Sequence, residues 1–145
     1  MIALDRPIYA ISGYAEWFYC MCRNWKDIEN RDWSLDRHFK PSDLPVRVYL
    51  HASKKPASKD EIVFIRSKLN KEQLKEFDSV DWAKLRGQII GETTITGQTQ
   101  ESKSVWFFGK FGFMVKDGIL YDKFIPYKGW FGFFRFNISG EECQK

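Results

Sequence analysis

Three of the ionisable side chains in one short polar segment, Lys26, Glu29 and Arg31, could do chemistry together. Lysine binds a phosphate as a point charge, and arginine binds it through a two-pronged guanidinium. A glutamate beside them could orient the two cations, accept a hydrogen bond from a base edge, or act as a general base. An ion pair that ties a turn to the rest of the fold would use the same residues, so binding, catalysis and structure all remain open.

Aromatic and basic side chains elsewhere could complete a nucleic-acid site. Trp25 and Trp33 flank the charged segment, and Trp106 begins a later aromatic stretch. Each indole either stacks on a base or belongs to the core. His51 ends an apparent strand and either faces a ligand or is satisfied by the backbone, and Lys54 follows it in a loop that either contacts phosphate or is simply solvated.

The net charge of +4 is concentrated in one part of the chain. Residues 103–137 contain six basic and two acidic side chains, which equals the excess of the whole chain. The same stretch includes Trp106, Lys128 and Trp130. Basic and aromatic residues together are typical of a surface that meets phosphates and bases.

Several function classes lack their sequence signals. Three cysteines and two histidines show no zinc-binding spacing, and no phosphate-binding loop or dinucleotide fingerprint is present. We therefore expect no metal and no cofactor. The apolar run 17–22 is too short to cross a bilayer. An odd cysteine count with no export signal favours the reducing cytoplasm.

The elements that must position these residues follow from the hydrophobic pattern. In chain order it first predicts a strand at 7–12, then an amphipathic helix with Tyr14, Trp17, Phe18 and Met21 on one face, and then a charged turn at 23–33. A half-buried strand at 46–51 and helices at 59–69 and 72–77 follow. The last predicted elements are a strand at 87–96 and short aromatic strands across 105–136. Asn70 is a predicted helix N-cap, and Asp117-Gly118 a predicted hairpin turn.

These elements predict the α+β class: a small mixed β-barrel of about five to seven short strands, closed or nearly closed, with about two to four peripheral helices. We expect one domain over residues 1–138 and a flexible tail over residues 139–145.

The segment 24–31 resembles the signature of the ASCH family, G-x-K-x-x-E-x-R directly after an amphipathic helix. Lys26, Glu29 and Arg31 match that signature, and Asn24 stands where the family has glycine. Asparagine is the non-glycine residue that best tolerates a left-handed backbone at a helix end, so the turn chemistry is kept.

Other landmarks of the family occur in the same order along residues 10–136. The resembling segments are Tyr14-Ala-Glu16 (with Gly13 in place of proline), His51-Ala-Ser-Lys-Lys55, Trp106-Phe-Phe-Gly109, Phe111-Gly-Phe113 and Pro126-Tyr-Lys-Gly-Trp-Phe-Gly-Phe133. Each is short, and it is their order that carries the resemblance.

The resemblance implies a PUA-like β-barrel that handles RNA or modified nucleotides in a basic, aromatic-lined cleft. We expect Lys26, Glu29 and Arg31 to converge with Trp106 on that cleft. The predicted nucleic-acid-binding residues are Trp25, Lys26, Glu29, Arg31, Trp33, His51, Lys54, Trp106 and Lys128. The expected partner is RNA, another single-stranded nucleic acid, or a nucleotide. The oligomeric state is left open.

Hydrolysis is the alternative to simple binding, and Lys26 and Glu29 would then be catalytic. The family resembles both ribonucleases and small amidohydrolases that remove an acyl group from modified cytidine. The amidohydrolase branch has threonine three residues after the motif lysine, where this chain has Glu29, and tends to be shorter. A ribonuclease, with Glu29 or His51 as general base, is therefore the favoured enzyme. A protein-interaction adaptor is a third class without specific support.

Overall fold

The computed structural model describes residues 7–136, and the predicted tail at 139–145 lies outside them. The strands are β1 (Tyr9–Gly13), β2 (Ile28–Arg31), β3 (Val46–Ala52), β4 (Gln88–Thr99), β5 (Phe111–Pro126) and β6 (Phe133–Arg135). The α-helices are α1 (Ala15–Cys22), α2 (Lys59–Lys68) and α3 (Lys71–Ser79). The predicted mixed α+β class is confirmed.

The six strands form one sheet in the order β2-β5-β4-β3-β1-β6. β1 runs parallel to β3, and the other neighbours are antiparallel. The sheet curls into a half-barrel with β2 and β6 at its ends, so the predicted closure is only partial over residues 7–136. Side chains bridge the gap: Arg31 on β2 donates a hydrogen bond to the Ser12 carbonyl on β1 at 2.8 Å.

Alternation along the strands divides the core between the two faces of the sheet. Ile11 and Leu50 belong to the larger apolar cluster, which includes α1, whereas Ala10 and Tyr49 belong to a second cluster on the opposite face. Successive side chains of a strand point to opposite faces, which explains this division. β3 was predicted to be half-buried, but its residues 48–52 are all buried because both faces are covered.

The helices differ in how they are buried. The predicted first helix is present as α1, but all eight of its residues are buried, so its predicted amphipathic character is wrong. Its Glu16 is tolerated inside because Arg86 donates to it at 2.7 Å. α3 begins at the predicted cap: the Asn70 side chain accepts from the Gln73 amide at 2.8 Å. No helix of residues 7–136 is long and apolar enough to span a membrane.

The charged turn predicted at 23–33 contains an edge strand. α1 ends at Cys22, Asn24 in the following turn adopts a left-handed conformation (φ 60°), and the chain then forms β2. The pairing of Ile28 with Met114 and of Arg31 with Phe111 attaches β2 to β5. Polar residues form a strand here because neighbouring backbone supplies the hydrogen bonds, which propensity does not reveal.

The hairpin predicted at Asp117-Gly118 is wrong, because β5 runs through this pair without reversing. Glu92 pairs with Ile119 and Thr94 with Lys116, so two residues of β5 face one residue of β4. This is a β-bulge, and Asp117 has the left-handed φ of 55°. The Asn24 side chain accepts from the Gly118 amide at 2.7 Å and donates to its carbonyl at 2.9 Å, satisfying the backbone that the bulge frees.

Candidate functional site

A cleft of about 1640 Å³ opens where the parallel strands β1 and β3 end, between β2, the loop after β3 and the loop after β5. Seven basic and three acidic side chains line it. The basic residues are Lys26, Arg31, Lys54, Lys55, Arg86, Lys110 and Lys128, and the acidic residues are Glu29, Asp32 and Glu61. The excess of positive charge favours an anionic occupant.

We define the cleft floor as Ser12, Lys26, Glu29, Arg31 and His51, all of them buried or half-buried lining residues. Glu29 and Arg31 lie two positions apart on β2 and therefore point to one side of that strand. Lys26 reaches them from the turn after α1. The floor thus collects residues from three strands and one turn.

The motif residues form a continuous charge network. Both oxygens of Glu29 are engaged: Oε1 lies 3.3 Å from Lys26 Nζ, and Oε2 accepts from Arg31 Nε at 2.8 Å. Lys26 Nζ also donates to the Ile28 carbonyl and lies 5.3 Å from the centre of the Trp17 ring. With Lys26 only 2% and Glu29 only 8% exposed, the network satisfies itself within the protein.

Burial lowers the pKa of the Lys26 ammonium, and the neighbouring Glu29 carboxylate opposes that effect. Removing a charge from water disfavours the charged form, whereas an opposite charge within hydrogen-bonding distance favours it. Because its amine is buried and already engaged by the Ile28 carbonyl and by Glu29, Lys26 is held by the protein itself and is not open to a phosphate.

Ser12 and His51 are register partners on the parallel strands β1 and β3, and their side chains meet. His51 Nε2 lies 2.6 Å from the Tyr127 carbonyl, which can only accept, so this nitrogen carries the proton. In the neutral ring, Nδ1 then accepts from the Ser12 hydroxyl at 3.1 Å. Burial lowers the pKa of His51, with the Tyr127 hydrogen bond opposing it, so the ring is neutral at pH 7.

We define the cleft rim as Lys54, Phe108, Lys110, Lys128 and Phe131, which are exposed residues that line the cleft. None of its three lysines forms an ion pair within residues 7–136. The Lys128 ammonium lies 5.1 Å from the centre of the Trp130 ring. In contrast to the floor, the rim offers cations and apolar rings directly to solvent.

The cleft brings together seven of the nine predicted binding residues: Lys26, Glu29, Arg31, Trp33, His51, Lys54 and Lys128. Trp33 is half-buried, with its ring 5.7 Å from the Arg31 guanidinium carbon and 5.9 Å from the Phe133 ring.

Trp25 and Trp106 do not line the cleft, contrary to prediction. Trp106 is buried in the larger apolar cluster, 6.3 Å from the Phe64 ring, and only its carbonyl serves the site by accepting from Asn30 at 2.9 Å. Trp25 packs against Tyr19, with ring centres 5.7 Å apart. Both indoles lie outside the site because core packing uses their faces.

Sequence reasoning missed Ser12, Arg86, Phe108 and Phe131 as cleft residues. Arg86 lines the cleft, where it donates a hydrogen bond to Glu16, the last residue of the Tyr14-Ala-Glu16 landmark. Phe131 lies in the aromatic stretch 105–136, and nothing in the local sequence distinguishes it from the neighbouring rings that belong to the core. Ser12 had no local signal, because its partner His51 is 39 positions away.

The described residues offer no metal site and no reactive thiol. Across residues 7–136, no three histidine, cysteine, aspartate or glutamate side chains cluster in a way that could hold a metal ion. Cys20 and Cys22 are buried and free. Burial raises the pKa of Cys20 to about 12, so its thiol is protonated at neutral pH.

Comparison with known proteins gives no family for this chain. No protein-family model matches it, and no curated protein matches its sequence.

Proposed function

We propose that the protein binds RNA, or another single-stranded nucleic acid or nucleotide, in the basic, aromatic-lined cleft. The observation that carries this proposal is the composition of the cleft, in which seven basic and three acidic side chains accompany the exposed rings Phe108 and Phe131. Phosphate contacts supply most of the affinity for nucleic acids, and unpaired bases stack on aromatic rings.

The available charge is on the rim. Glu29 already engages Lys26 and Arg31, and Glu16 engages Arg86. Lys54, Lys110 and Lys128 can release water and counterions to meet phosphates without breaking an internal ion pair. The floor then holds the walls in place, and the rim makes the contacts.

Titration of a labelled single-stranded RNA of about ten nucleotides, followed by fluorescence anisotropy at several salt concentrations, tests this function. Wild-type protein should bind at low salt and weaken as salt rises. The triple variant Lys54→Glu/Lys110→Glu/Lys128→Glu should lose binding.

The matched control is Lys75→Glu/Lys116→Glu/Lys123→Glu, which changes the net charge equally at exposed residues outside the cleft. It should still bind. Equal losses in the two triple variants would point to net charge and against a cleft, and wild-type protein that binds no single strand at low salt would overturn the proposal.

The finer assignments belong to the same proposal. The ordered landmarks that resemble the ASCH family, together with a curled six-stranded sheet, support an ASCH domain with a PUA-like fold. The cysteine pattern supports a cytoplasmic location.

Hydrolysis of RNA or of a modified nucleoside is the second candidate function. It is favoured by the buried contact between Lys26 and Glu29 on the cleft floor and by the neutral His51 ring that accepts from Ser12. Buried ionisable groups with shifted pKa values are concentrated at reaction sites, although structural pairs share that property.

Glu29→Gln separates the two candidates, because it keeps the shape of the side chain and removes its charge. A binding module should retain its affinity for RNA, whereas a ribonuclease should lose cleavage and still bind. Glu61→Gln, a second glutamate of the cleft, is the control. Wild-type protein that converts neither single-stranded RNA nor an acylated cytidine would eliminate the enzymatic candidate.

A further inference from the structure

Phe131 is the one ring in the segment Trp130–Phe134 that the fold leaves in water. Its side chain is 104% exposed, as open as in an extended peptide. Phe133 packs edge-on against Phe39, with ring centres 5.0 Å apart, and Phe134 is buried in the second apolar cluster. Since burying a phenylalanine stabilises a fold by about 1.5–3 kcal/mol, this exposed ring contributes little to folding.

Both sides of Phe131 are anchored, so its position is defined by the fold. On one side, a Cβ at Gly129 would come within 2.3 Å of the His51 ring, which shows how closely the loop packs on the floor. On the other side, Gly132 adopts the left-handed φ of 65°, and its carbonyl accepts from the Ser12 amide at 3.3 Å. The loop therefore presents the ring from a fixed base.

The surroundings of Phe131 identify what the ring can bind. It lines the cleft together with Lys128, three positions earlier, and with Arg31 and Trp33, whose ring lies 3.8 Å from a Cβ placed on the adjacent Gly132. An occupant that suits this place has a flat apolar face next to a negative charge. An unpaired nucleobase with its phosphate has that chemistry, whereas a base within a duplex keeps both faces stacked on its neighbours.

We propose that Phe131 is a stacking platform for one unpaired nucleobase at the cleft rim, and that Lys128 contacts the adjoining phosphate. This inference rests on the proposed function and specifies it: the ring selects a single-stranded or extruded base. Specificity for base identity is expected to be low at this place, because every base has a π-face.

A single-stranded oligonucleotide of about ten nucleotides, carrying one 2-aminopurine, is the probe. Stacking quenches 2-aminopurine, so the fluorescence reports the ring contact while anisotropy reports binding. Phe131→Ala should abolish the quenching at the best-placed 2-aminopurine position and weaken binding on the order of tenfold, with an unchanged salt dependence. Phe131→Trp should preserve both signals, and Phe131→Leu should behave like alanine because it is apolar without a π-face.

Val63→Ala is the matched control, since Val63 is also a largely exposed apolar residue but lies on α2 outside the cleft. It should leave both signals unchanged. A blunt duplex of the same sequence should bind more weakly and respond little to Phe131→Ala.

Two failures can be told apart. If wild-type protein binds the single strand but Phe131→Ala binds and quenches equally well, the stacking inference is wrong and the proposed function stands. If wild-type protein binds no oligonucleotide, the proposed function fails first. Sedimentation in which Phe131→Ala converts a dimer to a monomer would assign the ring to a protein contact and overturn the inference.

Discussion

The cleft floor and the cleft rim both contain basic side chains, but in opposite situations. On the floor, Lys26 and Arg31 share Glu29, and Lys26 is 2% exposed. On the rim, Lys54, Lys110 and Lys128 are exposed and form no ion pair within the described residues. The charged residues of the sequence motif are thus the ones whose charges are already paired inside the protein.

This difference separates architecture from recognition. Arg31 bridges β2 to the Ser12 carbonyl on β1, across the gap of the half-barrel, and His51 holds the loop after β5 through the Tyr127 carbonyl. The floor therefore fixes the distance between the walls of the cleft. Changes there should act on stability, whereas changes on the rim should act on binding.

Glu29→Ala should give the largest effect on stability. It leaves the buried Lys26 ammonium and the Arg31 guanidinium without their carboxylate, and breaking a buried ion pair from one side costs about 3–5 kcal/mol. Urea denaturation measures the free energy of unfolding directly.

The comparison for Glu29→Ala is Asp78→Ala, which breaks the Arg66–Asp78 pair. That pair is exposed, with side chains 42% and 50% accessible, and such pairs contribute about 0–1 kcal/mol. Similar small losses in the two variants would contradict the distinction between a buried floor and a solvated surface.

The next largest effect concerns how the free energy of unfolding changes at acidic pH through His51 on the cleft floor. Burial lowers the folded-state pKa of His51 below its ordinary 6.5, so below that pH the unfolded chain binds more protons than the folded one. The free energy of unfolding should then fall as pH drops from 6.5 towards the folded-state pKa, by at most about 1.4 kcal/mol per pH unit.

Unfolding curves at pH 7.5 and 5.5, for wild type and His51→Gln, isolate this contribution. The variant should lose less stability than wild type over that interval. His38→Gln is the control variant, because it removes the other histidine of the sequence. His38 is exposed, and its pKa is lowered mainly by partial burial and to a smaller extent by Arg37. An identical pH response in wild type and His51→Gln would show that His51 is not held neutral by the fold.

What the sequence could predict was local. Asn70 caps α3 because the cap and its partner Gln73 lie within one turn. Glu29 and Arg31, by contrast, share a side only because β2 forms where a turn was predicted. The pairing of Ser12 with His51 depends on the register of β1 against β3, which no local pattern specifies.

The two clearest errors have the same cause. Asp117-Gly118 suits a hairpin turn and a β-bulge equally well, and it is the distant Asn24 side chain that holds the bulge. Trp106 is chemically suited to stacking, but its ring packs in the core. In each case a tertiary contact, not the residue type, decides the outcome.

Single alanine substitutions on the rim should have the smallest effects and distinguish the two regions most sharply. Lys54→Ala, Lys110→Ala and Lys128→Ala each remove an exposed charge, so the free energy of unfolding should stay within about 0.5 kcal/mol of wild type. Each lysine that contacts a phosphate should, when removed, reduce the salt dependence of single-strand binding by about 0.7 in the slope of log K against log salt.

Salt titrations of the three lysine variants, with Lys75→Ala on α3 as the control, measure these slopes. The control should keep the wild-type slope, because Lys75 is exposed but outside the cleft. If instead Glu29→Gln, with its fold intact, changed the slope more than any rim lysine, phosphate would be reaching the floor. Recognition would then belong to Lys26 and Arg31, and the division between the two regions would be wrong.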